Sequence, residues 1–171
     1  EIEEDYAEEI SRLYGYDKLP TSLPYGNARV EADKLRSERE KAIYALTALG
    51  VNEAQTYSFV SPSGVDRLRI PAESSLRKFV KLINPLGEET SVMRTCLLPG
   101  LLQVVSHNLS HSVSSARMFE IGNTFIAKCE GELPVEKDSL CIVFYGEGES
   151  FFTLKGVIVD MLRMLGCSKP E

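Results

Sequence analysis

The chain is short of the residues that build metal sites, disulfide frameworks and membrane spans. Its four cysteines, Cys96, Cys129, Cys141 and Cys167, are scattered with no CxxC pair. With only two histidines in the chain, neither a zinc site nor a disulfide scaffold is supported. A reducing, cytoplasmic setting is therefore expected. There is no run of about eighteen apolar residues, and the first residues are acidic, so no membrane span or secretion signal is read. Basic residues are also in deficit: 19 Lys and Arg against 25 Asp and Glu give a formal net charge of −6. Tight binding of a phosphate backbone needs clustered cations that displace counterions, so this balance argues against it.

What is present is a length of 171 residues, 43% of them hydrophobic, enough for a real core in one domain, or one domain with a fragment of another. Ile2, Tyr6, Ile10 and Leu13 recur at helical spacing and Gly15 follows as a cap, which predicts an amphipathic helix over 2–14. Pro20, Pro24, Gly26 and Asn27 break regular structure, so 17–32 reads as an extended linker and a domain boundary. From Asp33 a second helix is expected, with Ser37 and Glu40 at capping-box spacing and Gly50 as terminator. Ala42, Ile43, Leu46 and Leu49 form its apolar side. Ala54–Val60 and Phe79–Ile83 read as strands, joined by a turn and short helix in SPSGVDRLR.

Leu98, Leu101, Leu102, Val105 and Leu109 mark one face of a helix with Pro99 in its first turn. Arg117–Ala127 alternates as a long strand, turning back near 130–132. Leu140–Tyr145 is apolar at every position, as in a strand covered on both faces at mid-sheet. Leu154–Leu165 closes the chain as a helix with Val157, Ile158, Met161, Leu162 and Leu165 inward. The order of elements gives an α+β fold with a mainly antiparallel sheet.

Three blocks carry a resemblance: EEDYAEEISRLYGYDKLP (Glu3–Pro20), NPLGEETSVMRTCLLPGLL (Asn84–Leu102) and ARMFEIGNTF (Ala116–Phe125). With GVNEAQTYSF (Gly50–Phe59) and FFTLKG (Phe151–Gly156), the sequence from Glu1 to about Gly166 resembles the β subunits of bacterial phenylalanyl-tRNA synthetase. The resemblance implies a class II aminoacyl-tRNA synthetase-like core over 33–171, incomplete at its C-terminus. It also implies that 1–16 is the last helix of a small helical and winged domain, joined through 17–32. The start at Glu1 in mid-pattern, and the family's much longer subunit, imply a piece of a larger chain.

In the family, two α and two β subunits assemble, and the α subunit charges tRNA(Phe) with phenylalanine using ATP and Mg²⁺. The implied role here is a noncatalytic core packed against the α subunit, with tRNA engaged by the whole assembly. The helices at Asp33–Leu49 and Leu98–Ser110 are the expected interface, and the isolated chain is expected to self-associate through the same faces. Class II enzymes hold ATP with an arginine from a strand written approximately FRxE, whereas this strand reads FEIG. Glu120 thus stands in the arginine's place and Gly122 in that of its acidic partner. A carboxylate about 4 Å from a triphosphate repels it by about 1 kcal/mol even through water. Arg94, in MRT, is the basic residue nearest to such a role, and the plain reading pairs it with Glu88 or Glu120. Two rival functions remain: a core that still activates an amino acid with ATP, and a nucleic-acid or partner-binding module.

Asp5, Glu8 and Glu9 share one helix face, and a hard cation such as Mg²⁺ takes oxygen ligands of this kind. A solvated face softened by Arg12 is the reading that the residues alone favour. The family assigns the matching residues to magnesium, with a further aspartate just before Glu1, so the expected site is incomplete. His107 and His111 are four apart, a metal-binding spacing, but with no third ligand they read as chance neighbours. SPSG at Ser63 lacks a paired His and Asp, which removes nucleophilic catalysis.

Overall fold

The computed structural model describes residues 2–23, 25–26, 33–129 and 132–167. The chain divides into two compact units, Glu1–Ala32 and Asp33–Glu171. In the first, α1 (Glu3–Tyr14) is the expected helix, and Asp5 Oδ2 accepts from the Ile2 N–H at 2.9 Å. This ties off one donor that the helix start leaves free. Gly15 ends it with φ 104 and ψ 119, positive but outside the left-handed helical well. Ile2, Tyr6, Ile10 and Leu13 are all exposed. The expected linker opens with a 3-10 turn at Tyr16–Lys18 and continues without regular structure where described; residues 24 and 27–32 lie outside the described set.

The second unit is built on one long strand. β4 (Ala116–Ile126) pairs antiparallel with β5 (Val135–Tyr145) over its full length. On its other edge it takes the short parallel strand β1 (Asn52–Glu53), so the order is β1-β4-β5. A separate two-stranded ladder joins β2 (Phe59–Val60) to β3 (Val92–Met93). Side chains alternate across a strand, so β4 offers Phe119 and Ile121 to one face and Glu120, Gly122 and Thr124 to the other. Helices α2 (Lys34–Ala48) and α5 (Phe151–Met164) cover the first face, where Ala45, Leu46, Val51, Phe119, Val157 and Met161 form the core. Full burial of side chains such as Phe119 and Leu46, both at 0% exposure, contributes about 1.5–3 kcal/mol each. α4 (Leu98–Ser110) lies on the opposite side, where Asn108 Nδ2 reaches Met118 Sδ. The fold is thus α+β, with a small sheet between helices.

Several expectations need correction. α2 is capped by Asp33, whose carboxylate accepts from the Leu35 N–H at 2.9 Å. Ser37 and Glu40 fall inside the helix, where Glu40 pairs with Arg36 at 3.0 Å. Ala54–Val60 is not one strand: the chain leaves β4 after the Ala54 N–H to Phe119 O bond and enters the other ladder only at Phe59. The intervening turn carries Thr56 to Glu120. Phe79–Ile83 contributes a single bridge, Lys81 to Val92, and SPSGVDRLR holds α3 (Ser63–Arg67) as expected. β5 is an edge strand, only half buried at 140–145, and the middle position belongs to β4. In α4 only Leu101 is buried, while Leu98, Leu102 and Leu109 are 37%, 39% and 52% exposed. The turn between β4 and β5 closes through the Glu132 N–H to Cys129 O bond, with Glu130 and Gly131 outside the described residues.

α5 starts at a capping box in which Ser150 and Thr153 exchange hydrogen bonds. It is anchored to the start of β4 by Glu149, which accepts from Arg117 Nε at 2.7 Å and from Thr153 Oγ1 at 2.9 Å. The bond from Arg117 holds the Glu149 carboxyl below its ordinary range. A depressed carboxyl stabilises the fold above its unfolded pKa and loses that contribution as pH falls through its folded pKa. Wild type is therefore expected to exceed Glu149→Gln in urea midpoint at neutral pH, with the gap closing on acidification below the ordinary carboxylate range.

Candidate functional site

The polar face of β4 is buried, and one arginine accounts for it. Arg94 follows β3, and its backbone joins both sheets: its N–H donates to Ser58 O and its carbonyl accepts from the Phe125 N–H, each at 2.9 Å. The side chain then turns over β4. Nη1 lies 2.5 Å from Glu120 Oε1, and both side chains are nearly excluded from solvent, at 7% and 3%. Nε donates to Asn123 O at 2.9 Å, while Nη1 also reaches Thr56 O and Oγ1 at 3.2 and 3.1 Å. Thr56 closes the circuit by donating Oγ1–H to Glu120 Oε2 at 2.8 Å and N–H to Oε1 at 3.3 Å. A buried charge is tolerated when it is paired and its remaining lone pairs and protons are satisfied. Among the described residues no buried side-chain N or O lacks a partner.

Of the two partners weighed for Arg94, the structure selects Glu120. Gly122 has a role that the sequence did not reveal. A Cβ at this position would fall on Arg94 Nη2, so the missing side chain makes the space through which the guanidinium crosses the strand. Gly100, in the first turn of α4, plays a similar part beneath Thr56, where a Cβ would come within 2.5 Å of Oγ1. Three segments distant in the chain, at Thr56, Arg94 and β4, thus meet in one hydrogen-bonded knot. Thr56 and the Asn123 carbonyl were missed, because no local pattern marks a threonine 64 residues from its carboxylate. The available signal was a Glu and a Gly two residues apart on one strand face, with an arginine elsewhere to match.

This geometry refines the electrostatic reading. Glu120 is neutralised by Arg94, so simple repulsion is not what bars a triphosphate. The bar is that the buried cation over the polar face of β4 is committed through Nε and Nη1 to Glu120, Thr56 and Asn123 rather than to phosphate oxygens. Above Thr56 opens a cleft of about 860 Å³, walled by Tyr57, Phe59, Glu88, Glu89, Gln103 and His107 among others.

The remaining candidates stand apart from this knot. Glu9 is held by Arg12 at 2.6 Å, and Asp5 caps the helix start. Among the described residues no group of three His, Cys, Asp or Glu side chains is placed to hold a metal ion. His107 and His111 stack with centroids 4.2 Å apart, and His111 Nδ1 is 2.8 Å from His107 O. Ser63 shares a hydrogen bond with Ser61. Cys141 lies opposite Glu120 in the β4–β5 register. Cys96 and Cys141 are half-buried, and burial raises both thiols above their ordinary range.

Comparison with known proteins gives a consistent result. The description "Phenylalanyl tRNA synthetase beta chain CLM domain" matches residues 19–171. A phenylalanine–tRNA ligase beta subunit of Clostridium acetobutylicum is 40% identical over 170 residues, covering 98% of this chain and 21% of its own length. The same subunit of Bacillus cereus is 36% identical over 179 residues, covering 98% and 22%. The chain therefore spans about a fifth of the length of these relatives. Among solved structures, the pyrrolysyl-tRNA synthetase of Desulfitobacterium hafniense superposes with a TM-score of 0.65 at 18% identity, over 98% of this chain and 55% of that one. At that identity the likeness concerns the fold.

Two outcomes test the knot and its surroundings. Arg94→Met strands a buried carboxylate and should lower stability in urea by about 3–5 kcal/mol. Gly122→Ala should cost about 1–3 kcal/mol, and much less once Arg94 is already Met, because the clash is with the guanidinium. Additive losses would show that the two positions do not touch. In timed alkylation with iodoacetamide, the exposed Cys129 and Cys167 should react first, with Cys96 and Cys141 lagging because fewer of their thiols ionise at a given pH.

Proposed function

Since this chain belongs to the phenylalanyl-tRNA synthetase beta-chain family, we propose that it forms the noncatalytic class II-like core of a phenylalanine–tRNA ligase β subunit. The observation that carries this reading is the buried Arg94–Glu120 pair. On the strand where the family resemblance puts a nucleotide-binding arginine, this chain has a carboxylate, and the cation that answers it is consumed in holding the fold. ATP-dependent activation needs positive charge free to meet charge developing on phosphorus. The rival reading as an activating enzyme is opposed by that lack, and the reading as a nucleic-acid module by the net charge of −6.

The core then serves by packing. Its catalytic partner is the α subunit, in an α2β2 assembly that binds ATP through α and engages tRNA(Phe) as a whole. The half-exposed leucines of α4, with Leu35 at 57% and Tyr44 at 76% on α2, offer the apolar surface such an interface requires. The same faces provide for self-association when the chain is alone. The unit Glu1–Ala32 is read as the end of the preceding helical and winged domain with its linker. Magnesium at Asp5, Glu8 and Glu9 would require Glu9 to leave Arg12 and further ligands to arrive, so the cation used with ATP is assigned to α. Translation in the cytoplasm is the corresponding setting; among the described residues no helix is long and apolar enough to cross a membrane.

Co-expression with an α subunit from a close relative provides the test. A β subunit carrying this core should co-elute with α and support charging of tRNA(Phe), and substitution of Leu102 and Leu109 by Glu should abolish co-elution. The 171-residue chain alone should form no phenylalanyl-adenylate, and measurable adenylate would overturn the noncatalytic assignment.

A further inference from the structure

The cleft above Thr56 has a size that suits a bound organic group, and its walls define what that group must carry. Tyr57, in the turn before β2, and Phe59, at its start, both line the cleft. They remain 86% and 46% exposed. Glu88 and Glu89, on a 3-10 turn in another part of the wall, take part in no ion pair among the described residues. Arg67 is the cleft's cation, exposed and also facing the smaller groove between α3 and α4. Arg94 contributes no charge from below, because the knot under Thr56 consumes it.

Two free carboxylates against one guanidinium make the cleft a poor seat for phosphate or carboxylate. Exposed aromatic faces and nearby carboxylates both attract a cation, the rings through their quadrupole and the carboxylates by charge-assisted hydrogen bonds. Gln103 adds an amide that can hydrogen-bond a guanidinium or a peptide group. We propose that this cleft binds an organic cation, a guanidinium or ammonium group on an apolar stem. Glu88 and Glu89 meet its charge, and Tyr57 and Phe59 cover its stem. The cation comes either as a free small amine or as an Arg or Lys side chain of a partner segment. The inference uses only the walls of the cleft and stands whether or not the core assembles with an α subunit.

The test is a titration of the ¹⁵N-labelled 171-residue chain, followed by amide shifts, with two probes. Agmatine represents the free amine, and acetyl-Gly-Arg-Phe-amide represents the side chain on a peptide. Saturable shifts confined to 55–61, 88–90 and 103–107 are expected with at least one probe. The tighter probe identifies the source. The double change Glu88→Gln with Glu89→Gln should weaken binding about tenfold, from two exposed charge pairs. Tyr57→Ser should weaken it about threefold. All three positions are exposed, so the variants are expected to fold, and added salt should weaken binding in the wild type. The proposal is overturned if neither probe gives a saturable shift, if the double variant binds as well as wild type, or if inorganic triphosphate binds more tightly than both cations.

Discussion

One arginine side chain crossing one strand organises the larger unit. Arg94 reaches over β4 through the space left by Gly122, neutralises Glu120, and is completed by Thr56 and the Asn123 carbonyl. Its backbone simultaneously joins the β2–β3 ladder to β4. A pair of this kind adds little net stability over well-packed apolar residues, yet breaking it from one side is severe. Its consequence here is specificity of arrangement: three distant segments meet, and among the described residues every buried side-chain N and O has a partner. The same bonds remove from the sheet the free positive charge that nucleotide chemistry would need.

The long elements were legible in the sequence because their patterns are driven by one apolar face. α1, α2, α4, α5 and β4 all appear close to where their periodicity puts them. The strand at Ala54–Val60 was misread because its aromatic and β-branched composition suits a strand, whereas its backbone crosses between two ladders to deliver Thr56. β5 was put mid-sheet because Leu140–Tyr145 is apolar throughout, while the polar alternation of β4 resembles a solvated face. In fact that alternation faces Arg94, and a satisfied buried ion pair looks from sequence like exposure to water. Of the stripe on α4, which was expected to serve an interface, only Leu101 turns into the core.

The candidate site divides along the same line. The swap of FRxE for FEIG was visible, and so was the option of an Arg94–Glu120 pair, since both are single-residue facts. Gly122 was read as a lost acidic partner, and only three dimensions show it as the clearance for a guanidinium. The carboxylates of α1 illustrate the reverse case. Spacing put Asp5, Glu8 and Glu9 on one face, but cap formation and Arg12 already engage two of them.

The most direct measurement of the central claim is a crystal structure of the core soaked with ATP and Mg²⁺. The account predicts an unchanged Arg94 guanidinium on Glu120 and no triphosphate on the polar face of β4. A triphosphate seated there, with Arg94 swung away from Glu120 to meet it, would contradict the account.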